Sequence, residues 1–242
     1  FAMIGIRIPY KFIRLTLPSV PKLYNQFNTH ALTMKALALH GFGSSPEKIN
    51  WLTGPLRSLN LDVVAPTYRD FEDGLNKVRE LLEGGNDEYI IAGHSMGGTI
   101  ALLAASTMDK ITCAISVSGP TDRLAQIRWL MSGEPGSIRR RTYEELVKID
   151  SRQVTEEFLI RTSPINYLKP NLPPILLIHG TNDELVNIRQ VEDYYERAKS
   201  LGNIIEFIRV EGMPHTPRGK DIRLIAKAIE SFVQKHCLNR SF

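Results

Sequence analysis

Three side chains, far apart in the sequence, carry the types and order that nucleophilic chemistry needs: Ser95, Asp183 and His215. Ser95 sits in Gly93-His94-Ser95-Met96-Gly97, between the apolar run Tyr89-Ile90-Ile91-Ala92 and the helix-like run Gly98-Thr99-Ile100-Ala101-Leu102-Leu103-Ala104-Ala105. Strand, Gly-x-Ser-x-Gly, helix is the pattern of a nucleophile elbow. The turn is so tight that only small residues fit two places either side of the serine. It lifts the hydroxyl out of the sheet and sets it at a helix N-terminus, where N–H groups and the helix dipole favour negative charge. A serine hydroxyl is a weak nucleophile at neutral pH. It needs a base to take its proton, and the base needs a carboxylate to orient it.

Both partners follow at strand ends. Pro174-Ile175-Leu176-Leu177-Ile178-His179-Gly180 reads as a buried strand, with Asp183 three residues beyond it. Ile204-Ile205-Glu206-Phe207-Ile208-Arg209-Val210 reads as another, leading through Glu211-Gly212-Met213-Pro214 to His215. Each candidate therefore lies just past the C-terminal end of a strand, the edge at which open α/β sheets gather ligands. Asp122 and Asp150 are rival carboxylates, but strand position and chain order favour Asp183. Among the histidines, His40, His94 and His179 read as structural, and His236 falls on a terminal helix. His30 is a further rival, and order and position again select His215.

These residues resemble the α/β-hydrolase superfamily, from about Lys35 to about Lys235. The segments Ser163-Pro164-Ile165-Asn166-Tyr167 and Pro174 to Val186 are most similar to the catalytic domain of the prolyl-oligopeptidase family, and the whole also to esterases. Two departures stand out. The expected Gly-His or Glu-His pair is Pro214-His215 here, and no propeller domain is expected within these 242 residues. Ala36-Leu37-Ala38-Leu39 running into His40-Gly41-Phe42-Gly43 resembles the His-Gly loop after an early strand of that fold. By position, the resemblance implies that the N–H groups of Phe42 and Met96 form the oxyanion hole, where losing one donor typically costs roughly 3–4 kcal/mol. Gly41 and Gly43 would let the backbone approach the substrate.

The implied activity is hydrolysis of a small-molecule carboxylic ester, of small to medium acyl chain, with no metal or organic cofactor. A peptidase or amidase acting on short acylated peptides is the alternative enzyme. A non-catalytic hydrolase-fold binding protein is the reading from a different class, and the intact Ser-His-Asp set argues against it.

The elements that must position these groups are legible as alternating runs. Strands are expected near residues 35–40, 61–66, 88–92, 111–117, 174–179 and 204–210. Helices are expected near 47–59, 71–83, 96–107, 188–201 and 219–236, with Asp70-Phe71-Glu72-Asp73 as a helix start. The alternation argues for an α/β fold, a mostly parallel sheet with helices on both faces. Residues 120–172 interrupt it. They are rich in charge, including Arg139-Arg140-Arg141, a run read as a solvated face. Trp129, Leu130, Met131, Tyr143, Leu146 and Phe158 provide their apolar side. This stretch is expected to be a small helical cap, of the kind that excludes water and shapes a pocket.

Composition bounds the rest. At 242 residues and 43% hydrophobic content, the chain suits one α/β domain with a substantial core. The formal charge of +4 arises from residues 1–33, where Arg7, Lys11, Arg14 and Lys22 stand without any acid. The remainder is balanced, and no basic patch interleaved with aromatics suggests nucleic acid. No apolar stretch reaches the ~20 residues of a membrane helix. The basic segment lacks the apolar core of a secretory signal, and prolines 9, 18 and 21 break any long helix. It is expected to be an edge hairpin or packed arm, with strands at Ile4–Ile8 and Lys11–Leu15. A surface-binding or homodimer-forming arm is the alternative. Met34 is itself a plausible start, and a cytoplasmic location is expected. Cys113 reads as inert core, and with Cys237 near the C-terminus the pair is expected to form neither a metal site nor a disulfide framework.

Overall fold

Side chains alternate along each inner strand, and the alternation builds two separate cores. In the computed structural model, which describes residues 34–149 and 151–238, β1 (Met34–Leu39) directs Leu37 and Leu39 to one face and Ala36 and Ala38 to the other. β3 (Glu88–His94) divides likewise, Tyr89 and Ile91 against Ile90 and Ala92. β5 (Ile175–Gly180) sends Ile175 and Leu177 one way and Leu176 and Ile178 the other. Strands buried on both faces read as continuous apolar runs, as parallel strands under two helical layers must. With β2 (Asp62–Val64), β4 (Ile111–Val117) and β6 (Ile205–Val210) they form one six-stranded sheet of order β2-β1-β3-β4-β5-β6, every pairing parallel.

Helices α2 (Phe71–Glu83), α3 (Met96–Thr107) and α7 (Ile188–Ser200) cover the first face. Helices α1 (Asn50–Ser58) and α8 (Lys220–Phe232) cover the second. The expected start of α2 holds: the Asp70 side chain accepts from Asp73 N–H at 2.9 Å, and Glu72 and Asp73 occupy the first turn. In α3, Gly97 through Ser106 are all buried. That explains why the sequence there is apolar all round rather than on one stripe.

Between β4 and β5 the chain leaves the sheet and forms α4 (Arg123–Met131), α5 (Ile138–Ile149) and α6 (Glu156–Arg161). Ile127, Leu130 and Leu159 make a small core of their own, with Tyr143, Leu146 and Val154 packed on it. Two members of the apolar side expected from the sequence behave otherwise. Phe158 joins the main core under the sheet, and Met131 is left exposed. The arginine run lies on the outside, where Arg139 stacks on Trp129 and Arg140 reaches Glu144.

The cysteines correct the sequence reading. Cys113 and Cys237 are joined in a disulfide, with Cα atoms 5.9 Å apart. Beyond α8 the chain continues as a wider π-helical turn, Val233–Leu238, which lays Cys237 against the buried face of β4. Residues 1–33, Asp150 and His30 lie outside the described residues. So do the expectations attached to them, including the arm, its strands and its alternatives. No helix among the described residues is long and apolar enough to cross a membrane.

Candidate active site

The strand order reverses between β1 and β3: β2 lies outside β1 on one side, and β3 begins the march to the other. Loops leaving neighbouring strands at such a point diverge and open a crevice. The His40-Gly41-Phe42 loop leaves β1 there, and Ser95 leaves β3.

Ser95 has φ 55° and ψ −121°, a left-handed conformation that costs a non-glycine residue roughly 1–3 kcal/mol. Its N–H donates to the Val117 carbonyl at the end of β4, 2.9 Å away, and holds the turn. The flanking glycines are obligatory for space. A Cβ on Gly93 would stand 2.1 Å from the Gly97 carbonyl oxygen, and one on Gly97 would stand 2.3 Å from that of Leu39. Close packing within the elbow at Gly93, and of the elbow on β1 at Gly97, therefore accounts for the Gly-x-Ser-x-Gly spacing.

His215 Nε2 lies 2.9 Å from Ser95 Oγ, although 120 residues separate them. On its other side, His215 Nδ1 lies 3.0 and 2.9 Å from the two Asp183 carboxylate oxygens. The loops carrying the two are tied to each other. Thr181 N–H donates to the Val210 carbonyl, Asn182 N–H to the Met213 carbonyl, and Gly212 N–H to Thr181 Oγ1. A Cβ on Gly180 would meet the Met213 carbonyl oxygen at 2.0 Å, so only glycine lets the strands close here.

The Asp183 side chain is 1% exposed. Burial alone would raise its pKa, but hydrogen bonds from His179 and His215 outweigh it and hold the carboxyl well below the usual carboxylate range. Leu185 and Val186 N–H groups also donate to Oδ1, each at 2.9 Å. His179 Nε2 is 3.1 Å from Asp183 Oδ2 and 3.1 Å from the Val186 carbonyl. Two acceptors face that nitrogen, so it carries the proton. His94 Nε2 lies 3.0 Å from the His215 carbonyl oxygen and, as the donor, fixes the backbone of the loop. Burial, and next the neighbouring His215, push the His94 pKa down to about 4.

His94 and His179 thus belong to the structure around the relay, as their sequence positions suggested. Their contacts with His215 and Asp183, however, had no signal in the sequence. Two of the rivals have other contacts. Asp122 caps α4 by accepting from Ala125 N–H, and His236 pairs with Glu206.

A cleft of about 100 Å³ opens beside Ser95 and His215, with Phe42 and Met96 in its wall. Met96 is the first residue of α3, so its N–H has no acceptor within the helix. Ile127 and Leu130 of α4, and Leu146 and Ile149 of α5, roof the cleft with apolar surface. Gln190 anchors that roof to the body. Its amide oxygen accepts from Thr121 and Asp122 N–H, its nitrogen donates to Gln126, and Gln126 donates to the Leu185 carbonyl beside Asp183.

Among solved structures, the fold is similar to esterase 2 of the planctomycete Thermogutta terrifontis. The form phosphonylated by sarin has a TM-score of 0.66 and 19% identity, covering 85% of each chain. The propionate-bound form has a TM-score of 0.63 and 18% identity, covering 85% of this chain and 84% of the other. The chain is also 26% identical over 169 residues to the uncharacterized peptidase YtmA of Bacillus subtilis (strain 168). That match takes in 68% of this chain and 63% of the relative's length. The model of the prolyl oligopeptidase family matches residues 57–240, which include Ser95, Asp183 and His215. With its parallel sheet and serine-bearing elbow, the chain has an α/β-hydrolase fold and belongs to the prolyl oligopeptidase family.

Proposed function

We infer that Ser95, His215 and Asp183 act as a catalytic triad that cleaves carboxylic esters of small to medium acyl chain. The observation that carries this reading is the unbroken relay from Ser95 Oγ through both ring nitrogens of His215 to a buried, ionised carboxylate. His215 takes the hydroxyl proton as Ser95 attacks the carbonyl. Charge developing on the oxygen is met by the Phe42 and Met96 N–H groups and by the positive end of α3. The imidazolium, steadied by Asp183, protonates the leaving alcohol. The same histidine then activates water to release the acid from the acyl-enzyme. The apolar roof suits an acyl chain, and esters leave more readily than amides.

Peptide or amide hydrolysis is the second reading, favoured by the family match and by the name of the Bacillus relative. A fluorophosphonate probe tests the nucleophile: it is expected to label the native protein and to leave Ser95→Ala unlabelled. An unlabelled native protein ends the proposal. Parallel assays of 4-nitrophenyl esters and acyl-aminoacyl anilides separate the two readings. Higher kcat/KM on the esters is expected, and the reverse order reassigns the enzyme as a peptidase.

A further inference from the structure

The cleft wall beside Ser95 and His215 also contains Arg123, the first residue of α4. Its place is set with care. The backbone N–H donates to Ser163 Oγ at 2.8 Å. The guanidinium lies 3.9 Å from the centre of the Phe71 ring and 5.2 Å from that of Phe158, and Nη1 donates to Thr162 Oγ1. A guanidinium has five N–H donors in a fixed fork and prefers a carboxylate. Among the described residues no carboxylate pairs with this one. Asp122, its neighbour, is committed to Ala125 N–H, and Asp70, also in the cleft wall, to Asp73 N–H.

Burial without a counter-ion is costly for a cation, and it pushes the Arg123 pKa down to about 9. The other polar members of the roof, Gln126, Thr142 and Gln153, carry no charge, so an anion arriving there would meet a partly desolvated, pre-oriented fork. Charge-assisted pairs of that kind are roughly twice as strong as neutral hydrogen bonds.

We propose that Arg123 receives a carboxylate carried by the substrate, so that the preferred esters bear a free carboxyl group on their acyl or alcohol part. This rests on the reading of Ser95 as the nucleophile and narrows the substrate class of that site. The rival role for Arg123 is a clamp joining α4 to α2 and α6 through Phe71, Phe158 and Thr162.

Two matched pairs separate these roles. One pair is 4-nitrophenyl hemiglutarate and its methyl ester, with the charge on the acyl side. The other is 4-carboxyphenyl butyrate and its methyl ester, with the charge on the alcohol side. The readout is the ratio of kcat/KM, acid over methyl ester. The native protein is expected to give a ratio of tenfold or more in at least one pair. In Arg123→Gln that ratio should collapse towards one, and in Arg123→Lys part of it should remain. Ratios near one in both pairs for the native protein overturn the proposal. So does a ratio that survives Arg123→Gln, since a clamp slows acid and methyl ester alike. A protein that takes up the fluorophosphonate but hydrolyses none of the four esters also overturns it. Absence of labelling instead removes the hydrolase reading beneath it.

Discussion

Asp183 accepts from four donors: the Leu185 and Val186 N–H groups and the rings of His179 and His215. The carboxylate is thereby held ionised through mildly acidic pH, and it can only accept from His215 Nδ1. Asp183→Asn offers an amide that can also donate, which favours the wrong imidazole tautomer. We expect kcat to fall about 10³-fold or more with KM little changed. Steady-state kinetics with a 4-nitrophenyl ester measure this, and near-native rates would pass the role to another group. His94 predicts a stability effect. Its pKa is about 4 when folded and near 6.5 when unfolded, so the unfolded chain binds the proton more readily. Stability from this group is complete above pH 6.5 and is lost as pH falls towards 4, by at most about 3 kcal/mol. Urea unfolding at pH 7 and pH 4.5 should show a smaller acid loss in His94→Gln than in the native chain. Equal losses would mean that His94 does not titrate as its burial requires. The three residues proposed as nucleophile, acid and base could be picked out because each follows a strand in a set order. The role of His94 could not, since its contact with the His215 carbonyl, 121 residues away, depends on how loops meet.

Local sterics decide the elbow between β3 and α3. The spacing of its glycines is readable because a side chain two places from Ser95 would collide with backbone. Gly97→Ala places a methyl 2.3 Å from the Leu39 carbonyl oxygen, so β1 and α3 must separate. We expect a loss of about 3 kcal/mol or more, since overpacking against rigid backbone has no easy relief. Thermal melts check the stability, and fluorophosphonate labelling should slow in parallel. The C-terminal turn is the contrasting case. Cys113 and Cys237 are 124 residues apart, and nothing in the periodicity of either segment says that they meet. Cys237→Ser should cost about 2–5 kcal/mol, because the cross-link closes a long loop of the unfolded chain. A melting temperature equal to that of the native protein, both measured without reductant, would show that the bond contributes nothing. Such bonds persist in oxidising compartments and in intracellular proteins of hyperthermophiles, so this pairing bears on where the protein works.

Across the whole molecule, the sheet positions the reacting groups and the excursion between β4 and β5 shapes what reaches them. Helices α4 and α5 supply Ile127, Leu130, Leu146 and Ile149 to the apolar cleft wall, and Gln190 and Gln126 bind α4 to the loop carrying Asp183. Substrate range is therefore expected to respond to the roof while the relay stays intact. Leu146→Trp should lower kcat/KM for 4-nitrophenyl octanoate by tenfold or more relative to the acetate. An unchanged ratio of the two would place the acyl chain elsewhere.

Apolar periodicity, glycine spacing and the order of polar residues at strand ends are properties of stretches of ten residues or fewer. For that reason the six strands, the flanking helices and the identities of Ser95, Asp183 and His215 could be read from the chain. Strand order, the disulfide, the contact of His94 with the His215 carbonyl and the lack of a carboxylate partner for Arg123 among the described residues depend on contacts between segments tens to more than a hundred residues apart. Such contacts arise from packing two helical layers on a twisted sheet, and short-range patterns do not encode which distant side chains that packing brings within 3 Å.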